Sequence, residues 1–270
     1  MDAWLEANRA NWDERVDVHA RSEFYGVAAW LADGTGPRPA EIEALGDVSG
    51  LTLVHLQCHF GMDTMQWARA GALVTGVDFS PAAVDEAIVL AARAGLSGST
   101  RFVCCNVYDA PLVLDSQRFD IVYVSLGALC WLPEVAPWAR VVADLLVPGG
   151  RLYLHDVHPF TFCVDDDGER IGFYSYFEEP DAPYVDDDGA TYTDGGTIAS
   201  TRNYQWNHSI AEIVGALHDA GIVLDVLEEH DWTVFQQFPW LEQTAPGRFT
   251  SPSDRPRIPL TFTILAHAPA

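Results

Sequence analysis

The sequence predicts an α/β fold: a doubly wound, mostly parallel seven-stranded sheet with an antiparallel last strand, an N-terminal helical cap and a small antiparallel lid insertion. Three observations lead there. Strand-length apolar runs alternate with helical stripes from about residue 50. The runs are nearly continuous in valine and leucine, as in parallel strands buried on both faces. The last run comes without a crossover helix, which predicts an antiparallel strand at the sheet edge.

In chain order, residues 1–46 are the cap: an amphipathic helix carrying Trp4, Leu5, Trp12 and Val16, then a Gly/Pro-rich connection. Residues 47–158 are the core, with strands Leu51–Leu56, Ala72–Val77, Arg101–Cys105, Phe119–Val124 and Arg151–Asp156. Between them, Val84, Ala87, Ile88 and Ala91 fall at helical spacing, as do Val135, Trp138, Ala139 and Val142. Ser80-Pro81 is an N-cap followed by proline at the first helical position. Residues 159–207 are the lid, with acidic turns "VDDDGER" and "VDDDGAT" and aromatic runs such as "GFYSYF" that read as strands. Residues 208–270 return to the core with a helix on Ile210, Ile213, Val214 and Leu217, then strands "IVLDVLEEH" and "IPLTFTILAHA".

The 270 residues are 49% hydrophobic, enough for a substantial single-domain core. Net charge is −24 and all 15 basic residues are arginines. That field repels polyphosphate, against nucleic acid or an anionic membrane as partner. It suits a cationic substrate, or serves only as a solubility surface. Five cysteines without metal spacing argue against a disulfide framework and a zinc site and read as buried reduced thiols. No metal is expected. "MDAWLEANRA" has no apolar signal core, and "IVYVSLGALCWLP" is too short to span a bilayer, so a cytoplasmic monomer or homodimer is the expectation.

Ligands of a parallel α/β sheet bind at the carboxyl ends of its strands. The first such junction, "LTLVHLQCHFGMD", holds only Gly61, after Gln57, Cys58, His59 and Phe60. One glycine suits a pyrophosphate poorly, but the loop could take a carboxylate at the following helix N-terminus. Asp78, followed by Phe79, lies 21 residues after Gln57 and ends the second strand. A carboxylate there accepts both ribose hydroxyls; capping the helix at Ser80 is its other use. In "CCNVYDAP", the Asn106 side chain and the Val107 N–H could meet an adenine edge, or form an ordinary turn.

Together these residues resemble the class I S-adenosylmethionine-dependent methyltransferases, over residues 50–158 by motif and 209–267 by pattern. Where that family reads like "LDLGCGTG", this chain has "VHLQCHFG": His55 stands at the acidic position, and Gln57 and His59 at two glycines. The form "HLQ…G.DT" followed by "GA.VTGVDFS" is similar to a recognised branch of the family. The resemblance implies adenine contacts at Asn106 and Val107 and places Ser125, Leu126 and Gly127 beside the methionine moiety. It also implies an N-terminal segment closing over the cofactor, with Trp12 or Tyr25 near the methyl.

The expected activity is methyl transfer from S-adenosylmethionine to an oxygen or nitrogen of a small metabolite or natural product. A non-catalytic module binding S-adenosylmethionine or S-adenosylhomocysteine is the alternative. An NAD(P)-dependent oxidoreductase is a further one, against which the missing G-x-G-x-x-G counts. Methyl transfer requires positioning, plus a base only if the acceptor loses a proton. His158 and Asp156, in "LYLHDVHPF", are the candidate catalytic residues; strand capping and packing under the lid compete. His19 reads as a helix-surface residue. Trp206, His208 and Tyr176 are candidate substrate neighbours, with lid core as the other reading for such aromatics.

Overall fold

The computed structural model describes residues 2–172, 174–194 and 196–270. Helices α1 (Asp2–Arg21), α2 (Val27–Asp33) and α3 (Pro39–Leu45) form the cap. The core then alternates β1 (Thr52–Leu56), α4 (Met62–Arg69), β2 (Leu73–Asp78), α5 (Pro81–Arg93), β3 (Thr100–Cys104), α6 (Ala110–Val113), β4 (Phe119–Val124), α7 (Val135–Leu145) and β5 (Leu146–Val157). A lid hairpin pairs β6 (Tyr184–Asp186) with β7 (Asn203–Gln205), before α8 (Ile210–Asp219) and β8 (Val223–His230). Three short strands, β9 (Trp232–Thr233), β10 (Glu242–Ala245) and β11 (Arg248–Thr250), precede β12 (Thr261–His267).

The seven-stranded sheet has the order β3-β2-β1-β4-β5-β12-β8. β1 to β5 pair in parallel, and β12 runs antiparallel to both its neighbours. The last strand is therefore not at the edge, as its missing crossover suggested. It slots between β5 and β8, and β8 is the edge. The order reverses between β1 and β4, so the carboxyl ends of those two strands frame the crevice where such sheets bind ligands.

Local chemistry fixes the helices that frame the crevice. Ser80 Oγ accepts the Ala83 N–H at 3.1 Å, with Pro81 at the first helical position of α5. Ser209 and Glu212 form a reciprocal capping box on α8. The inward stripe of α7 is Val135, Trp138, Ala139 and Val142, all buried in the main core with Leu56, Val122 and Leu154. In α5, Ile88 points outward, and Leu90 completes the buried face instead. Gly61 is obligatory: its φ is 74°, and a Cβ there would lie 2.5 Å from Phe102 Cε1.

Three further expectations change. "GFYSYF" forms no strand among its described residues; Phe173 lies outside them. The late loop folds into a small sheet of order β10-β11-β9. Cys104 is exposed rather than buried.

Candidate functional site

The loop after β1 keeps a glycine-type backbone without the glycines. Gln57 and His59 have φ of 58° and 51°, and Gly61 has 74°. Each non-glycine residue in this region costs about 1–3 kcal/mol. Specific bonds hold the strained turn. Gln57 Nε2 donates to the Ala128 carbonyl at 2.7 Å, joining the β1 and β4 loops across the crevice. The His59 N–H donates to Asp78 Oδ2 at 2.7 Å.

Asp78 ends β2 and is buried, its Oδ1 accepting the Ser80 N–H at 2.9 Å. Burial pushes its pKa up to about 6, against hydrogen bonds from the Ser80, His59 and Phe79 N–H groups. A carboxylate offers about four acceptor sites, so capacity remains for a ligand hydroxyl. Asn106 caps the short turn Val107–Asp109 through Tyr108 N at 3.2 Å, and Val107 is buried. His55 bridges Thr64 Oγ1 (2.8 Å) and Ser125 Oγ (3.0 Å). Desolvation takes its pKa down to about 4, so this ring is neutral.

Asp156 is the anchor of the β4 loop. Its carboxylate accepts the N–H groups of Gly127, Ala128 and Leu129, and that of Val157. Burial raises its pKa to about 6 in spite of those donors. His158 also turns to the fold: Nδ1 accepts the Phe160 N–H at 3.1 Å, leaving Nε2–H to donate to Glu229 at 2.7 Å. Both residues expected as bases thus have their polar atoms engaged, because each terminates β5 where loop N–H groups need acceptors.

α1 contributes the residues that sequence reasoning missed. Asn8, Asn11, Arg15 and His19 are all buried, at helical spacing, as is Ser22 just past the end of the helix. Leu5, expected on the apolar face, is exposed. His19 is 0% exposed, correcting its reading as a surface residue. Its Nδ1 meets His59 Nε2 at 3.0 Å, and its ring stacks on Tyr25 with centroids 5.3 Å apart. Trp12 packs edge-on against His59 and Trp131, with centroids at 5.0 and 5.1 Å. The Tyr25 and Tyr192 hydroxyls meet at 2.6 Å, so the lid reaches the same cluster. The signal was a polar stripe of period 3.6, which a search for apolar periodicity passes over.

The lid carries the remaining candidates. Trp206 is buried and bonds Pro180 O through Nε1 at 3.1 Å. His208 faces acceptors only: Glu178 at 2.8 Å and the Leu132 and Leu129 carbonyls at 2.8 and 3.2 Å. Both line a small cavity with Cys130 and Asp156. Trp206, Phe162 and Asn207 also line a second cavity of about 330 Å³, with Tyr174, Phe177, Tyr184 and Glu179. Tyr176 stands beside Phe177, ring centroids 5.5 Å apart, rather than on that lining.

Residues 54–154 match the family described as "Methyltransferase domain". The match runs from within β1 to within β5, the core of the sheet. That core contains the β1 loop, Asp78, Asn106 and the β4 loop; α1 and the lid lie outside the match. Over 147 residues the chain is 29% identical to a ubiquinone biosynthesis O-methyltransferase of Methylobacterium sp. (strain 4-46), covering 53% of this chain and 56% of that one. The chain spans about half the length of the relatives it matches. An S-adenosylmethionine-dependent methyltransferase structure from Mesorhizobium loti covers 87% of this chain and 99% of its own, with a TM-score of 0.54 and 19% identity. A magnesium protoporphyrin IX methyltransferase from Synechocystis PCC 6803, solved with bound SAH, covers 91% of this chain and 83% of its own, with a TM-score of 0.52 and 17% identity. At those identities the likeness to the methyltransferase structures is one of fold.

Proposed function

We propose that this protein transfers the methyl group of S-adenosylmethionine to an oxygen or nitrogen of a small, ring-bearing molecule. The observation that carries the reading is the site between β1, β2 and β4: a buried Asp78 with spare acceptor capacity beside buried polar atoms of the β1 loop and α1 that have no partner among the described residues. Those atoms are Gln57 Oε1, His59 Nδ1 and His19 Nε2. A buried orphan costs about 1–3 kcal/mol, and three such atoms where α1 meets the β1 loop fit a polar ligand. The His19–His59 hydrogen bond adds a chemical constraint. Whichever ring donates, one outer nitrogen is left as a donor and the other as an acceptor.

S-Adenosylmethionine would supply a methyl already activated by its sulfonium charge. The protein's part is binding and alignment. Asp78 would take the ribose diol, and Asn106 with the Val107 N–H would face the adenine. Asp156 acts as a positioning residue: it fixes Gly127–Leu129, the loop that would border the methionine portion. His158, tied to Glu229, caps β5. The lid cavity, rich in aromatic side chains, suits a flat acceptor. The name of the Methylobacterium relative supports oxygen as the accepting atom.

Calorimetry tests the reading. The protein should bind S-adenosylmethionine and S-adenosylhomocysteine but not NAD, and Asp78→Ala should weaken both by roughly tenfold or more. Labelled methyl transfer to a panel of phenols and amines then identifies an acceptor. Binding of neither adenosyl compound would refute the proposal.

A further inference from the structure

Arg15 is 5% exposed, yet no carboxylate among the described residues stands within ion-pair distance of it. Its Nε donates to Asn11 Oδ1 at 2.6 Å. A guanidinium has five N–H donors, so the four on the terminal nitrogens have no acceptor among the described residues. The cation lies over the rings of Trp12 and Trp131, 5.3 and 6.0 Å from their centroids. Those contacts attract a cation but accept no conventional N–H···O bond. Asp186 and Asp188 of the lid pull on the charge only from a distance, and desolvation lowers the pKa. Buried charges are normally paired, because an isolated one forfeits several kcal/mol of hydration.

The surroundings say what is missing. Trp12, bridging Arg15 and His59, puts the guanidinium beside the β1 loop. Trp131 brings in the turn after β4. His19 lies one helical turn on from Arg15, its buried Nε2 without a partner among the described residues, and Tyr192 reaches down from the lid. A guanidinium fork with free parallel N–H groups matches a carboxylate in a bidentate pair.

We propose that Arg15 is the cation of a carboxylate-binding subsite, flanked by Trp12, Trp131, His59 and Tyr192, where α1, the β1 loop and the lid meet. The carboxylate has two possible sources. One is the amino-acid end of S-adenosylmethionine, which rests on the function proposed above. The other is an acidic group on the acceptor, which does not.

The test uses calorimetry on the full chain and on Arg15→Met and Arg15→Lys, with circular dichroism to verify folding. The probes are S-adenosylhomocysteine, 5′-methylthioadenosine, which lacks the carboxylate, and benzoate titrated with and without methylthioadenosine. If the cofactor supplies the anion, Arg15→Met weakens S-adenosylhomocysteine roughly 10- to 100-fold and leaves methylthioadenosine within about twofold. If the acceptor supplies it, both adenosyl compounds hold their affinity and benzoate binding disappears in Arg15→Met. Arg15→Lys keeps the charge but loses the fork, and gives an intermediate loss in either case; it carries the test if the methionine variant does not fold. Equal weakening of both adenosyl compounds would mean that Arg15 only holds α1 in place, and overturns the proposal. So does an unchanged affinity for all three probes. If the parent protein binds neither adenosyl compound, the methyl-transfer reading fails alone, and benzoate binding without them decides the subsite.

Discussion

Asp78 makes the clearest prediction at the residue scale. Under the proposed function its ionised form accepts the ribose diol, and burial pushes its pKa up to about 6. As pH falls through about 6 the carboxylate protonates and loses an acceptor. Affinity for S-adenosylhomocysteine should therefore be level above about pH 7 and decline below 6, toward tenfold per unit. Calorimetry between pH 5 and 8 checks this, and Asp78→Asn should flatten the curve. The strained loop yields a second test. At Gln57, with φ of 58°, Gln57→Gly should be more stable than Gln57→Ala by about 1 kcal/mol, measured by urea unfolding. Sequence alone placed Asp78 at the end of its strand, because a carboxylate closing a strand in "VTGVDFS" is a local signal. It passed over Arg15 and put His19 on the helix surface. Their burial depends on what α1 packs against, and no local pattern states that.

At the scale of elements, the parallel strands were legible from their valine and leucine runs, while the place of β12 was not. Strand order depends on where a chain returns, and residues 231–260 hide that path. The lid was visible as a composition, but its anchoring is tertiary. Glu178 accepts the Val135 N–H at 2.9 Å and pairs with His208, joining the lid to the start of α7 and the approach to α8. Burial alone would raise its pKa, but those bonds outweigh burial and leave it below its ordinary 4.5. A lowered carboxylate contributes stability that is fully present above its unfolded pKa and is lost as pH falls through the lower folded value. Acid below about pH 4.5 should thus loosen this anchor, and Glu178→Gln should destabilise the protein by about 1–3 kcal/mol at neutral pH. Thermal unfolding at pH 4 and pH 7 separates the two effects.

For the whole molecule, a net charge of −24 on 270 residues is a self-repelling surface. Arg21–Asp17, Arg257–Asp231 and Arg255–Glu169 are ion pairs with at least one partner well exposed, and such pairs contribute little. Raising salt should screen repulsion more than it weakens those pairs, so Tm should climb by roughly 2–4 °C for each kcal/mol recovered between low ionic strength and 0.5 M sodium chloride. Among the described residues no helix is long and apolar enough to cross a membrane.

One contact joins distant parts of the chain. The Asn8 amide pairs with both backbone groups of Tyr204, Asn11 holds the Ser200 and Thr201 carbonyls, and Glu14 takes the Ala199 and Ser200 N–H groups. These hydrogen bonds tie cap to lid, so displacing either one breaks the bonds that hold the other. Under the proposed function, exit of a spent cofactor would need both to move, so the first catalytic cycle should outrun its successors. Rapid-quench sampling would register this as an initial burst, and Asn8→Ala should shrink it by hastening departure.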